Sequence, residues 1–207
     1  MVLNSGWKKW DKYLLEFSYM VDPIHILEIG AYEGGASVWF LENLMKNPSS
    51  TLTCLDTWEG SPEYNNVNFS KVEEAFDKSV KKWSTQVLKI KGLSWDGLIQ
   101  LNTNISSSNK YSIIYVDASH VASDVMSDGI LAWNLLLPGG ILIFDDYRWD
   151  LLRPAYFTPK PAIDAFMEIM APQIDIINID RQVFLRKRIQ FELPKKKGGR
   201  RRKSIQR

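Results

Sequence analysis

The chain has 207 residues, of which 45% are hydrophobic and 24% are charged, and its formal net charge is +2. This length supports one sizeable core and excludes two ordinary domains. Its single cysteine, Cys54, excludes an internal disulfide framework and a cysteine-based zinc site. The sequence shows no export signal and no apolar run long enough to cross a bilayer, so we expect a soluble, cytoplasmic protein without a membrane span.

The basic residues are concentrated at the end of the chain. Residues 194–207 carry eight lysines and arginines and no acid, which leaves the rest of the chain with a net charge of −6. A segment of this composition cannot bury enough apolar surface to fold, so residues 191–207 are predicted to form a disordered tail. The tail either only aids solubility or contacts an acidic partner such as a nucleic acid.

Helical and strand patterns alternate along the chain. An N-terminal helical segment at 1–22, with Trp7, Trp10, Leu14 and Phe17 at helical spacing, precedes a single domain at 23–190. Apolar runs predict strands at 24–30, 51–56, 86–91, 112–117 and 139–144, with helical patterns at 36–45, 72–83, 121–137 and 161–170.

The continuous apolar character of these strands indicates a parallel sheet with helices on both faces. Two further runs, at 174–179 and 182–188, lie too close in sequence for a helix between them. They are predicted to form an antiparallel hairpin at the edge of the sheet.

The first strand ends in a glycine-rich turn, ILEIGAYEGGAS at 26–37. In an open parallel sheet, ligands bind beyond the carboxyl ends of the strands. Gly30, Gly34 and Gly35 allow a tight turn at a helix start, where N–H groups attract an anion, while Glu28 can accept from an ammonium group. The zwitterion of an amino acid fits this pair, whereas the spacing matches neither the dinucleotide nor the P-loop pattern. The alternative is a turn that needs glycine only for its backbone.

The next two strand ends indicate a nucleoside. LTCLDTWEG places Asp56 at the tip of the second strand, where a carboxylate can accept both ribose hydroxyls. Trp58 either covers the adenine or is an ordinary aromatic residue at the rim. In IKGLS, Gly92 and Ser94 lie near the expected adenine edge. An amino acid joined to a nucleoside is S-adenosylmethionine (SAM).

Four blocks, ILEIGAYEGGAS, LTCLDTWEG, IIYVDASH and LLLPGGILIFDDY, occur in this order. They resemble the class I SAM-dependent methyltransferases, specifically the family-24 group similar to the macrocin and mycinamicin sugar O-methyltransferases. The resemblance covers 24–187 and implies a Rossmann-like, mostly parallel seven-stranded sheet with an antiparallel last strand. It places Glu28, Gly30, Gly34, Ser37 and Asp56 on cofactor positions. We expect Ala31, Tyr32, Thr57, Trp58, Gly92, Ser94 and Asp117 to complete the cofactor site, although Tyr32 stands where the family often has glycine.

Three carboxylates follow the fourth and fifth strands: Asp117, Asp145 and Asp146. Carboxylates packed together repel each other unless a divalent cation neutralises them, and oxygen ligands select Mg²⁺, with Mn²⁺ or Ca²⁺ as alternatives. The resemblance supports a metal, since the sugar and catechol-type enzymes bind Mg²⁺ through acids at matching positions. The alternative assigns Asp117 to cofactor contacts and Asp145 to a helix cap.

His120 and Asp117 are the predicted catalytic residues. His120 follows Asp117 by three residues and could accept the proton of an acceptor hydroxyl near pH 7. It stands where catechol-type relatives carry a lysine base, whereas the macrocin-like enzymes place an aspartate base at the position of Ser119 here. The alternative is a structural histidine.

The acceptor site is predicted in the loop after the fifth strand. Its aromatic residues and arginine suit the faces and hydroxyls of a sugar, or else a partner subunit in a homo-oligomer: Tyr147, Arg148, Trp149 and Tyr156. Residues 58–70 are predicted to form a mobile lid over the cofactor.

The sequence therefore predicts a metal-assisted O-methyltransferase that transfers the methyl group of SAM to a sugar, a glycan or another vicinal diol. The alternatives are a nucleic-acid methyltransferase steered by the basic tail and a SAM-binding module without catalysis.

Overall fold

The computed structural model describes residues 9–60, 69–104 and 110–190. These residues form a seven-stranded sheet in the order β3-β2-β1-β4-β5-β7-β6. The strands are β1 (His25–Ile29), β2 (Thr51–Asp56), β3 (Val87–Lys91), β4 (Tyr111–Val116), β5 (Leu136–Phe144), β6 (Ile174–Ile179) and β7 (Val183–Lys187). The first five are mutually parallel, and β7 runs antiparallel to both β5 and β6. The predicted Rossmann-like fold with an antiparallel last strand is confirmed.

Helices cover both faces of the sheet. They are α1 (Asp11–Ser18), α2 (Gly35–Asn43), α3 (Val72–Val80), α4 (Ser94–Thr103), α5 (Ala122–Leu135) and α6 (Lys160–Met170). Side chains of α1 to α3 form one apolar cluster with one face of the strands, and side chains of α4 to α6 form a second cluster with the other face. Successive residues of β1, such as Ile26 and Leu27, alternate between the two clusters. No helix in the described ranges is long and apolar enough to cross a membrane.

The N-terminal helix is shorter than its pattern suggested, because α1 begins at Asp11. Trp10, Leu14 and Phe17 are buried in the first apolar cluster, so this segment packs into the main core. Trp7 lies outside the described residues. So do the basic tail predicted at 191–207 and most of the lid predicted at 58–70, for which residues 61–68 are not described.

One helix was missed by the sequence analysis. Helix α4 joins β3 to β4, and only Gly97 and Leu98 are buried along its ten residues. A glycine at one of the two buried positions leaves too weak an apolar pattern to indicate a helix. Gly97 lets α4 pack closely against the sheet, since a Cβ there would lie 2.4 Å from Cδ1 of Leu55 on β2.

Asp128 on α5 is a buried acid without a hydrogen-bond partner of good geometry in the described ranges. It is 1% exposed, and neither carboxylate oxygen has a hydrogen-bond partner among the described residues. Burial raises the pKa of Asp128 from 3.8 to about 7. The side chain of Ser94 offsets part of this rise, although its position does not satisfy the geometry of a hydrogen bond to Asp128. The folded protein therefore retains a proton on Asp128 at pH values where the unfolded chain has lost it.

This difference predicts that stability falls with rising pH through Asp128. Between about pH 4 and pH 7 the unfolded state binds fewer protons, so each step up in pH lowers the free energy of unfolding. Asp128→Asn cannot ionise and should lack this loss. Its stability relative to the wild type should rise by up to about 4 kcal/mol from pH 4 to pH 8. Urea unfolding at both pH values measures the change, and a difference that does not vary with pH would contradict the assignment.

Candidate functional site

The backbone hydrogen bonds of the sheet continue into the loops at the carboxyl ends of the parallel strands. Each bond ties the first residues of one loop to the end of a neighbouring strand. These N–H groups donate as follows: Gly30 to the carbonyl of Leu55 (2.9 Å), Gly92 to Asp56 (2.9 Å), Asp117 to Ile29 (2.8 Å) and Asp145 to Val116 (3.0 Å). The five strand ends that the sequence singled out therefore lie side by side, in the order Gly92, Asp56, Gly30, Asp117, Asp145.

The glycine-rich turn after β1 requires glycine at two positions. Gly30 has φ +88°, and a Cβ there would lie 2.1 Å from the carbonyl oxygen of Asp117. Gly34, at the N-terminus of α2, has φ +84°, and a Cβ would lie 2.5 Å from Oγ of Ser79. The turn is thus pressed against β4 on one side and α3 on the other.

Asp56 fastens this turn to the end of β2. Its Oδ2 accepts from the N–H groups of Ala31 (2.7 Å) and Tyr32 (2.8 Å), and its Oδ1 accepts from the N–H of Trp58 (2.7 Å). Tyr32 has φ +48°, a left-handed conformation that favours glycine and costs a non-glycine residue about 1–2 kcal/mol. The two bonds to Asp56 and a bond from the Trp58 indole N–H to the Tyr32 carbonyl (3.0 Å) hold Tyr32 in this conformation.

Glu28 lies beneath the turn and not on its surface. The carboxyl group is 1% exposed, and Oε2 accepts from the hydroxyl of Ser37 and from the thiol of Cys54 (3.4 Å). Burial raises the pKa of Glu28 to about 8, so the group is mostly protonated at neutral pH. The predicted contacts of Glu28 and Ser37 with a cofactor stay predictions; in this structure the two side chains support each other.

The remaining predicted cofactor residues are placed differently from one another. Gly92 borders open space, since a Cβ added there would meet no atom within 4 Å, and the half-buried Ser94 begins α4. Thr57 is half-buried beside Asp56. Trp58 is 3% exposed, with its ring 4.9 Å from that of Phe76, so it packs in the core and does not offer a face at the surface.

The ends of β4 and β5 bring two of the predicted acids together through a residue that the sequence analysis missed. The buried hydroxyl of Tyr115 lies 2.7 Å from Oδ2 of Asp117 and also contacts Oδ2 of Asp145. A phenol carries one proton and can donate to only one carboxylate, so one of the two acids must itself carry a proton. Desolvation, followed by the charges of Asp145 and Asp146, raises the pKa of Asp117 well above its usual range.

Asp145 has additional donors that favour its charged form. Oδ2 accepts from the side-chain amide of Gln182 (2.8 Å), and Oδ1 accepts from the N–H of Asp146 (2.6 Å). These donors offset part of the rise in the pKa of Asp145, which burial and then the charge of Asp146 produce. The geometry therefore places the second proton on the Asp117 carboxyl group, while the Tyr115 hydroxyl donates its own proton to an ionised Asp145.

His120 is held between an acid and an indole ring. Its Nε2 lies 2.9 Å from Oδ2 of Asp146, and its ring stacks on Trp149 with centroids 3.9 Å apart and an interplanar angle of 14°. The guanidinium of Arg153 lies 4.6 Å from the centre of the Trp149 ring. Only 11% of the His120 side chain is exposed, so Trp149 covers it.

The three predicted metal ligands suit a hard cation in their chemistry, because all of them are carboxylates at adjoining strand ends. They are not gathered around one point, and across the described ranges no group of three or more His, Cys, Asp or Glu side chains is arranged to hold a metal ion. Asp117 and Asp145 bond to Tyr115, and Asp146 bonds to His120. A shared cation would need lone pairs of these acids that the contacts leave open.

Of the two site residues that the sequence did not reveal, Tyr115 and Gln182, only Tyr115 has a sequence signal. Tyr115 lies two residues before Asp117 and thus on the same face of β4, a spacing that could have revealed their contact. Gln182 lies in the connection between β6 and β7, 37 positions from Asp145, and no local pattern links the two.

The stacking of Trp149 on His120 predicts a change in chemical reactivity. Trp149→Ala should uncover the imidazole and increase the rate at which diethyl pyrocarbonate modifies His120 several-fold, as measured by peptide mass spectrometry. Trp149→Phe retains a stacking ring and should remain slow. His25, the other histidine of the chain, bonds to Thr51 at the opposite end of β1 and serves as an internal reference. Equal His120 rates in all three proteins would show that the indole does not cover it.

Comparisons with known proteins agree with the Rossmann-like fold described above. A family model described as a methyltransferase domain, of family 24, matches residues 27–147, which is more than half of the chain. No curated protein matches the sequence. An O-methyltransferase from Bacillus cereus, solved with S-adenosylhomocysteine (SAH), is 17% identical with a TM-score of 0.65, over 90% of this chain and 83% of its own.

Two further solved structures share the fold. TomG from Streptomyces achromogenes, an O-methyltransferase involved in tomaymycin synthesis and solved with SAM, is 17% identical with a TM-score of 0.67, over 91% of this chain and 82% of its own. MycE, a methyltransferase of mycinamycin biosynthesis solved with Mg, SAH and mycinamycin VI, is 14% identical with a TM-score of 0.61. The match covers 91% of this chain but only 50% of MycE. With the family model matching from β1 to the first residues after β5, the chain belongs to the family-24 methyltransferase domains.

Proposed function

We propose that this protein is a SAM-dependent O-methyltransferase that methylates a hydroxyl group of a sugar, a glycan or another molecule with adjacent hydroxyls. The observation that carries the proposal is that the strand ends proposed to bind the cofactor lie next to the strand ends that carry the acids and His120. The glycine turn and Asp56 lie on β1 and β2, and Asp117, Asp145 and Asp146 with His120 follow the neighbouring β4 and β5. A methyl donor held at the first pair would face an acceptor held at the second.

The cofactor half would use the turn after β1 and the open edge beside β3. The first turn of α2, which follows Gly34, would supply backbone N–H groups for the carboxylate of the methionine part. Three of the about four acceptor sites of Asp56 are occupied by backbone N–H groups, and the remaining one would accept a ribose hydroxyl. Gly92 and Ser94 border the space proposed for an adenine ring. Trp58 is not among the proposed contacts because it is buried.

The acceptor half would use the acids and His120. Asp117, Asp145 and Asp146 would hold Mg²⁺ or a similar cation, which supplies a Lewis acid that lowers the pKa of a bound hydroxyl. His120 would accept the proton, and its contact with Asp146 fixes the orientation of the imidazole ring. The solved MycE complex contains Mg, SAH and a mycinamycin together, which supports the same division of the site here.

Trp149 and Tyr156 are the aromatic residues proposed to contact the acceptor. Trp149 lies directly over His120, and Tyr156 is 57% exposed in the same loop. Tyr147, although predicted for the same role, is 9% exposed and donates its hydroxyl to Asp164 on α6 (2.7 Å). Arg148 pairs with Asp180 (3.4 Å), so its contact with an acceptor stays a prediction.

The proposed cofactor site predicts the behaviour of Asp56 variants. Asp56→Ala removes the support of the glycine turn and the ribose acceptor together, and should weaken SAH binding by about 2–3 kcal/mol. Asp56→Asn keeps one acceptor oxygen and should lose less. Isothermal calorimetry with SAH measures both variants. Wild-type affinity in a folded Asp56→Ala variant would exclude this position from the cofactor site.

The proposed reaction predicts methyl transfer from labelled SAM to a sugar with adjacent hydroxyls, detected by mass spectrometry. A chelator should abolish turnover, and the matched deoxy sugar should react poorly because it lacks one of the paired hydroxyls. His120→Ala should lower kcat about 10²–10⁴-fold with unchanged SAH affinity.

The matched control for this reaction is His25→Gln, which alters the only other histidine, outside the site. It should turn over like the wild type. Full activity in excess chelator would remove the metal from the proposal, and normal turnover of His120→Ala would remove the base.

A further inference from the structure

Two hydrogen bonds connect the N-terminal region to the carboxylate of Asp145. The indole N–H of Trp10, the residue before α1, donates to Oε1 of Gln182 (2.6 Å). The Nε2 of the same Gln182 amide donates to Oδ2 of Asp145 (2.8 Å). Gln182 lies 172 positions after Trp10 and sits between β6 and β7, so the connection exists only in the folded chain.

The direction of this connection is fixed by chemistry. An indole N–H can only donate, so the amide of Gln182 must present its oxygen to Trp10. The amide nitrogen is then forced to face Asp145, where it donates to the carboxylate. The reversed amide would place two donors against each other at Trp10 and two acceptors against each other at Asp145, so Trp10 selects the orientation that suits an ionised Asp145.

Trp10 is a rigid anchor. It is 0% exposed, and its ring lies 5.0–5.1 Å from the rings of Trp39, Phe40 and Tyr115. The Tyr115 hydroxyl also contacts Oδ2 of Asp145. Both side chains that donate to this oxygen are therefore supported by the same indole ring, one by a hydrogen bond and one by packing.

We propose that Gln182 is a positioning residue for Asp145 and that Trp10, just before α1, sets the orientation of Gln182, so that Trp10 supports the active site from behind Asp145. The inference rests on the proposed function, in which Asp145 helps to hold a divalent cation. Gln182 and Trp10 act through Asp145 and contact neither substrate nor cofactor. Partners of this kind hold a ligand's lone pairs in place, and their loss typically weakens metal binding about 10–100-fold.

The test measures Mn²⁺ affinity by calorimetry and by electron paramagnetic resonance, with SAH saturating, in the full-length protein. Gln182→Met keeps the length of the side chain but removes both hydrogen bonds, and should weaken Mn²⁺ binding about 10–100-fold with unchanged SAH affinity. Trp10→Phe leaves the amide present but no longer oriented, and should cause a smaller loss in the same direction.

Tyr13→Phe is the matched control. The Tyr13 hydroxyl donates to Oδ1 of Asn178 on β6 (3.0 Å), so this variant also removes one hydrogen bond between α1 and the β6–β7 hairpin, but one that does not lead to Asp145. Its Mn²⁺ affinity should equal that of the wild type. An equal loss in Tyr13→Phe would show that only the docking of α1 matters and would overturn the role of Gln182.

The remaining outcomes separate the inference from the proposed function. Wild-type Mn²⁺ affinity in Gln182→Met overturns the positioning role alone. A wild-type protein that binds no Mn²⁺ overturns the metal part of the proposed function and this inference with it. Loss of Mn²⁺ binding in Gln182→Met with unchanged melting temperature and SAH affinity supports the inference, because general destabilisation would lower all three.

Discussion

The site depends on one constraint, which is that the five strands β1, β2, β3, β4 and β5 are all parallel. Their carboxyl ends therefore all lie at one edge of the sheet. Acidic side chains are brought to or beneath this edge with the strand ends: Glu28, Asp56, Asp117, Asp145 and Asp146. Burial removes these acids from water and their negative charges repel one another, so the pKa values of Glu28, Asp117 and Asp145 are all raised. The fold must therefore partner or protonate each acid.

The acids are accommodated in two ways that divide the edge. Around β1 and β2, backbone N–H groups surround Asp56 while Glu28 is buried and mostly neutral, so that neither acid is left uncompensated. Around β4 and β5, side chains share protons instead, through Tyr115 and His120. The first region is fixed by the backbone, whereas the second is held by contacts between side chains.

Much of the fold was predictable because the strands are apolar runs and the helices between them are amphipathic. The antiparallel β6–β7 hairpin followed from a connection too short for a helix, but its insertion of β7 beside β5 depends on pairing between distant strands. At the site, position in sequence located the acids at the strand ends, since Asp56 ends β2, Asp117 follows β4 and Asp145 follows β5. It did not show that Trp58 turns inward with φ +51° or that Gln182 reaches Asp145, because both depend on tertiary packing.

The clamp of Asp56 on the glycine turn has a thermodynamic consequence. Ordering a loop removes conformational entropy, at about 1–2 kcal/mol for each residue fixed. Here Asp56, a residue of the chain itself, holds the turn with Tyr32 in its left-handed conformation, so this loss belongs to folding and not to ligand binding. A ligand that binds the turn meets a surface already in shape, and its association rate is set by diffusion and fit instead of by ordering of this loop.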